Sequence, residues 1–194
     1  MTQPPPPSRT DVLAEIPNML GSPIIVRRPS GDDAPAVLTY LRRVGAESEF
    51  LSFGAEGPPI TEAEERAFLA SVRSAPNAIA LIAEQNGEIV GMLSFKGGNR
   101  VRTRHVGEFG ISVARRVQGT GVGRRLMELL IQWAQRGETV RKINLVVRVD
   151  NGRAIALYES LGFVVEGRRS RDMLIEGTFH DSLIMGLPID HATP

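Results

Sequence analysis

The chain reads as a single mixed α/β (α+β) domain, and three observations carry that reading. From Pro23 onward, short β-rich runs alternate with amphipathic helical stripes in the order βααβββαβαββ. One stripe is unmistakable: Val122, Leu126, Leu129, Leu130, Trp133 and Ala134 recur at the 3.6-residue period of a helix with one buried face. Finally, 194 residues with 42% hydrophobic and 23% charged side chains suit one substantial core, with no internal repeat and no second domain.

Taken in order, residues 1–22 read as a proline-rich tail. Its four consecutive prolines favour polyproline II and cannot donate to a strand ladder, and Ile16 to Leu20 suggest a short docking turn. The domain then runs from 23 to 190. Ile24 to Val26 is a first strand, and Asp32 or Asp33 caps a helix reaching about Val44. Val44 to Ile60, rich in Gly, Pro and Glu, is a loop with room for a broken helix. Thr61 and Glu64 have capping-box spacing and open a second helix to about Ser74. Ala78–Ala83 and Ile89–Phe95 are strands joined by Asn86-Gly87, a hairpin signal. After a basic loop, Val106–Val113 is a strand leading to the helix that starts near Val122. Ile143–Val149 is a near-continuous apolar strand of the kind buried in parallel sheets. Asn151–Leu161 is a helix stopped by Gly162, and strands near Phe163–Ile175 and Ser182–Leu187 close the chain.

Composition excludes several functions. Lys plus Arg number 23 against 22 acidic residues, so a net charge of +1 gives no electrostatic case for nucleic acid or a membrane surface. No apolar run reaches the roughly eighteen residues of a membrane span, and the first residues lack the pattern of a secretory leader. The chain has no cysteine, which removes disulfides, thiolate catalysis and Cys-ligated zinc, and suits a reducing cytoplasm. His105, His180 and His191 have no metal-ligand spacing, so no metal is expected.

The segment that carries chemistry runs from Glu108 to Gly123, between a strand and a helix. Gly119, Gly121 and Gly123 let backbone N–H groups approach a ligand where the helix exposes its unpaired donors and the positive end of its dipole. That geometry binds phosphate or pyrophosphate. Arg115, Arg116, Arg124 and Arg125 crowd the same helix start, where acidic residues are the usual choice. Either a bound polyanion or a solvated basic face accounts for them. A Walker A loop would need Gly-Lys-Ser/Thr, but Gly123 is followed by Arg124-Arg125; the dinucleotide fingerprint fails on spacing and on its acidic partner.

These residues resemble the GNAT (Gcn5-related N-acetyltransferase) superfamily, whose signature Q/R-x-x-G-x-G/A is matched by Gln118, Gly121 and Gly123. The family's second motif resembles Asn151-Gly-Arg-Ala154-Ile-Ala-Leu157-Tyr158-Glu-Ser-Leu-Gly162-Phe163, about thirty residues on. Glu176 to Asp181 look like the closing hairpin of the spermidine, phosphinothricin and ribosomal-protein N-terminal acetyltransferase branch, and Glu108-Phe109 look like the polyamine enzymes.

The resemblance implies a mostly antiparallel seven-stranded sheet, splayed between its fourth and fifth strands, with acetyl-CoA as co-substrate in the opening. It implies a pyrophosphate held by Gln118, Gly119, Thr120, Gly121, Val122, Gly123 and Arg124, and contacts from Asn151 and Ala154. Ile111, Ser112 and Val113 would line the pantetheine arm, with one backbone amide polarising the thioester carbonyl. Tyr158 would be the acid meeting the leaving sulfur. Glu108, on the strand entering the acetyl site, is the candidate base, with a substrate-orienting carboxylate as the other reading and His105 as an alternative base. No basic residue lies between Arg43 and Arg66, where Glu47, Glu49 and Glu56 would form an acidic rim attracting a cationic amine; Glu62, Glu64 and Glu65 are explained by the helix dipole. The acceptor expected is a small primary amine. A protein N-terminus or lysine is the alternative, which would need an open groove, and a non-catalytic acyl-CoA-binding module is a third reading. Exposed edge strands in such folds suit a homodimer.

Overall fold

The computed structural model describes residues 12–17 and 21–190. Eight strands form one sheet: β1 (Val12–Ile16), β2 (Ile24–Arg27), β3 (Ala78–Gln85), β4 (Glu88–Gly97), β5 (Val106–Val113), β6 (Lys142–Arg148), β7 (Val164–Ile175) and β8 (Thr178–Pro188). Four helices flank it: α1 (Ala34–Glu47), α2 (Glu62–Ser74), α3 (Val122–Arg136) and α4 (Gly152–Ser160). The strand order is β1-β2-β3-β4-β5-β6-β8-β7.

The eighth strand corrects the sequence expectation. Residues 12–16, read as tail, pair antiparallel with β2, Glu15 opposite Ile25 and Ile16 opposite Ile24. The proline run lies outside the described residues, as does most of the docking turn expected at Ile16 to Leu20. The first helix also starts differently. Ser30 caps a short 3-10 turn over 31–33, and Asp33 binds the Ser30 amide and the Arg27 guanidinium instead of capping α1.

Two features of the ladder position the site. The β3–β4 hairpin turns on Asn86 and Gly87, both at positive φ (53° and 79°), as a two-residue type I′ connection demands. Between β5 and β6, the parallel pairing covers Val106, Gly107 and Glu108, opposite Lys142, Ile143 and Asn144, and then stops. Both strands continue, so the sheet splays beyond Glu108. β6 is otherwise antiparallel to β8 along its whole length, from Lys142 to Arg148.

The two faces are covered by different helices. Phe95 and Phe109 are cross-strand partners; Phe95 meets Trp133 of α3 edge-on at 5.8 Å, and Phe109 meets Tyr158 of α4 at 5.8 Å. Val122, Leu126, Met127, Leu130 and Ala134 bury the apolar stripe of α3 there. Ser112 points the other way and bonds the Tyr40 hydroxyl of α1 at 2.9 Å, so Glu108, Gly110 and Ser112 face α1 and α2.

Candidate active site

The loop from Ala114 to Gly121 turns the chain from β5 into α3. Gly119 and Gly121 have φ of 86° and 92°, a left-handed conformation that costs a side-chain-bearing residue roughly 1–3 kcal/mol. A Cβ on Gly121 would meet nothing within 4 Å, so this glycine borders open space. Gly123 is different: a Cβ there would sit 3.7 Å from Leu157 and Val113, in ordinary contact. Gly121 is the N-cap of α3 and brings no side chain to cap it; the first intrahelical bond is Arg125 N–H to Gly121 O at 2.9 Å. The amides of Val122, Gly123 and Arg124 therefore have no carbonyl one turn back, and present an anion site.

The arginine cluster divides. Arg115 bonds Glu47 through its backbone amide at 2.7 Å and its guanidinium to the Glu47 carbonyl. Arg116 reaches Gln85 and Glu88, each at 2.9 Å, and Arg125 pairs with Glu128. Only Arg124, of these four, has no carboxylate partner among the described residues; it donates to the Ser160 hydroxyl at 2.8 Å. A bound polyanion is thus not what holds Arg115, Arg116 and Arg125. A cation missed from sequence joins instead: Arg153, at the start of α4, lies over the Gly119 turn and donates to Gln118 Oε1 at 3.1 Å. Its place inside the second motif, two residues after the α4 cap, was the available signal.

Gln118 fixes the loop, donating from Nε2 to the Val113 carbonyl at 3.1 Å. Thr120 closes it from below, its hydroxyl on the Val117 carbonyl at 2.7 Å. Asn151 caps α4 by accepting from the Ala154 amide at 3.2 Å. The Ser112 hydroxyl is taken by Tyr40, and its backbone lies opposite Met92 in the β4 ladder. From Gly110 to Val113, the edge of β5 towards β6 has no strand partner, so Ile111 carries its backbone amide and carbonyl, and Val113 its amide, into the opening, the Val113 carbonyl being held by Gln118.

One cavity of about 1000 Å³ runs from Gly119 and Gly123 past Ile111, Asn151, Ala154 and Tyr158 to Glu108 and the underside of α2. Tyr158 is buried among Phe109 and Phe163, and its hydroxyl has no hydrogen bond to a described residue. Burial pushes its pKa up to about 12, so it stays protonated at neutral pH. Glu108 lies at the last paired position before the splay and is exposed to the cavity. His105 is exposed at the start of β5, outside the lining, with its carbonyl accepting from Arg141 and Lys142.

The end of the cavity away from the glycine turn is roofed. Loop 48–60 is held by a tight backbone approach of Gly45 and Gly54 and by Arg148, whose buried guanidinium bonds Asp150 and the Glu49 carbonyl and stacks 4.8 Å over Phe50. Asp172 and Met173 of β7 close it from the other side. The expected acidic rim is largely spoken for: Glu47 binds the Arg115 amide, Glu56 accepts from Gly54 N–H at 2.8 Å, and Glu49 stands 4.0 Å from Arg148. A buried carboxylate also lines the cavity beside Glu108 and Asp172: Glu65, which sequence reasoning gave to the helix dipole. The signal was its place on the stripe Glu65, Leu69, Val72 of buried α2 residues.

A splayed β5–β6 pair with a glycine-turned helix start at its mouth is the arrangement the sequence motifs anticipated. The profile of the Acetyltransferase (GNAT) family matches residues 46–163. The chain belongs to this family. It is an N-acetyltransferase, an acyltransferase acting on amines. The L-amino acid N-acetyltransferase AaaT of Escherichia coli K12 is 36% identical over 110 residues, covering 57% of this chain and 68% of its own. The spermidine N(1)-acetyltransferase of the same strain is 30% identical over 54% of this chain and 55% of its own, so the chain spans about half of that relative. A GNAT acetyltransferase from Streptococcus pneumoniae superimposes with a TM-score of 0.83 at 35% identity, covering 86% of this chain and 99% of its own. YncA of Salmonella typhimurium, solved with its cofactor acetyl-CoA, shares the fold at a TM-score of 0.74 and 24% identity over 89% of this chain and 98% of its own. No helix of the described residues is long and apolar enough to cross a membrane.

Proposed function

We propose that this N-acetyltransferase moves the acetyl group of acetyl-CoA directly to a small primary amine bound in the roofed half of the cavity. The observation that carries the reading is continuity: Gly119 and Gly123 at the start of α3, the unpaired β5 edge, Tyr158 and Glu108 all line one cavity. The amides of Val122, Gly123 and Arg124, beside the Gly119 and Gly121 turns, would hold the pyrophosphate, with Arg124 and Arg153 as its nearest cations. The β5 backbone at Ile111 to Val113 would align the pantetheine, and an amide there would polarise the thioester carbonyl.

The neutral amine nitrogen attacks the carbonyl carbon, forming the C–N bond. The C–S bond breaks, and the leaving thiolate takes the Tyr158 proton. The amine's proton passes to Glu108, directly or through water, and Tyr158 is reprotonated from solvent. No metal is required by this chemistry, and the described residues hold no group of three or more His, Asp or Glu placed for one. The fixed roof over the acceptor half favours a small molecule over an extended peptide. A cytoplasmic location fits the lack of cysteine, and a second copy along the β7 edge, where Val164 and Val165 are exposed, fits a homodimer.

The test is release of free thiol from acetyl-CoA across a panel of amines, amino acids and peptides. Turnover with small amines and none with peptides supports the proposal. Turnover confined to peptides, or none with any acceptor despite donor binding, would remove it.

A further inference from the structure

Glu62, Glu64 and Glu65 sit within four residues of one another in the first turn of α2, yet they have three different fates. Glu64 closes the capping box, accepting from the Thr61 amide and hydroxyl at 2.8 Å each. Glu62 pairs with Arg66 at 3.1 Å on the surface. Glu65 turns inward and is 4% exposed. It makes no ion pair or side-chain hydrogen bond with a described residue, and its Oε1 is fully buried without a partner. Burial alone raises its pKa above the usual carboxylate range.

A buried, unpaired carboxylate is unfavourable unless something neutralises it. The cavity's own cations are already engaged: Arg148 with Asp150, Arg153 with Gln118, and Arg169 beside Asp172. The wall of the same cavity carries the apolar side chains Leu41, Ile60, Phe68 and Met92. Glu108 faces the same side of the sheet, as the Ser112–Tyr40 bond fixes, and a Cβ on Gly110 beside it would meet nothing within 4 Å. The open floor therefore joins two carboxylates through an apolar passage.

Resting on the acetyl-transfer reading above, we infer that Glu65 binds a second positive group of the acceptor, so that the preferred substrate class is aliphatic diamines rather than monoamines. One amine reacts beside Glu108 while the distal ammonium meets Glu65, and the methylenes between them cover the apolar lining. Glu65 is then a specificity-determining residue that touches substrate away from the reacting atoms.

The experiment compares 1,4-diaminobutane and n-butylamine in the thiol-release assay for the wild type and for Glu65→Gln, which keeps the shape and removes the charge. The wild type should prefer the diamine at least tenfold in kcat/KM. Glu65→Gln should erase that preference through KM for the diamine, leaving kcat and the butylamine constants within about twofold. Glu65→Leu should raise Tm while losing the same preference, because the unpaired charge weighs on the free protein. Equal use of both amines by the wild type, or a preference unchanged in Glu65→Gln, would overturn the inference and leave the acetyl-transfer reading standing. Acetylation of no amine by a wild type that binds acetyl-CoA would overturn both.

Discussion

The opening between β5 and β6 has two walls made in different ways. On the donor side, the wall is backbone: the amides at the start of α3, the turns at Gly119 and Gly121, and the unpaired edge of β5. On the acceptor side, it is side chains brought from α2, loop 48–60, β6 and β7. A backbone wall recognises what every donor molecule shares, since amides read phosphate without reading the group it carries. A side-chain wall changes with each substitution and sets which amine enters. If this division is right, damage to the first wall should cost every substrate equally, and damage to the second should cost substrates unequally.

The largest effect should come from the backbone wall. Gly121→Asp places a carboxylate where the α3 amides await an anion, and should weaken acetyl-CoA binding by more than about 10²-fold. Gly121→Asn carries the same shape and tolerates positive φ equally well, so it separates charge from backbone strain and should lose much less. Calorimetric affinities that are equal in both variants would assign the loss to strain and break the comparison at its donor end.

Next is Tyr158→Phe, at the junction of the two walls. The phenol makes no hydrogen bond to a described residue, and its ring contacts with Phe109 and Phe163 survive the change. Tm should therefore hold, while kcat falls on the order of 10²-fold with every amine. Because burial holds the Tyr158 pKa near about 12, the wild-type rate should show no loss of this acid across neutral and moderately alkaline pH. An unchanged kcat would mean that solvent protonates the thiolate. Glu108→Gln should follow, lowering kcat/KM by about tenfold and mostly at low pH, where ammonium must be stripped. A loss confined to KM and independent of pH would make Glu108 an orienting group.

How far each wall was legible in the sequence follows from the same division. Glycine spacing, the Asn86-Gly87 turn and the α3 stripe are local signals, and they located the glycine turn that opens α3 and most strands. The splay could be placed because the motif residues flank it. β1 was missed because Val12 to Ile16 is only five residues long, and pairing with β2 rather than local pattern makes it a strand. On the acceptor side, three glutamates in one helical turn look alike until packing decides which points inward. Glu65 falls on the buried stripe with Leu69 and Val72, while its neighbours find local partners. The arginines divided for the same reason: Arg115 and Arg116 meet Glu47 and Glu88, residues 68 and 28 positions away.

The smallest effect should come from the loop carboxylates that composition marked as a rim. Glu47 already accepts the Arg115 amide, Glu49 stands beside Arg148, and hydrogen bonds from the backbone amides of Gly54 and Glu56 hold Glu56 below the usual carboxylate range. Their charge is local and solvent-screened, whereas that of Glu65 is buried and unmatched. Converting Glu47, Glu49 and Glu56 together to glutamine should therefore raise KM for a cationic amine by less than about twofold and leave kcat alone. The residual effect should fade as salt rises, since screening acts over about 8 Å at physiological ionic strength. Kinetics at low and high salt decide it. A KM that climbs tenfold at low salt and recovers with added salt would restore long-range attraction by the rim. The acceptor wall would then act through its summed field, and Glu65 would be one charge among several.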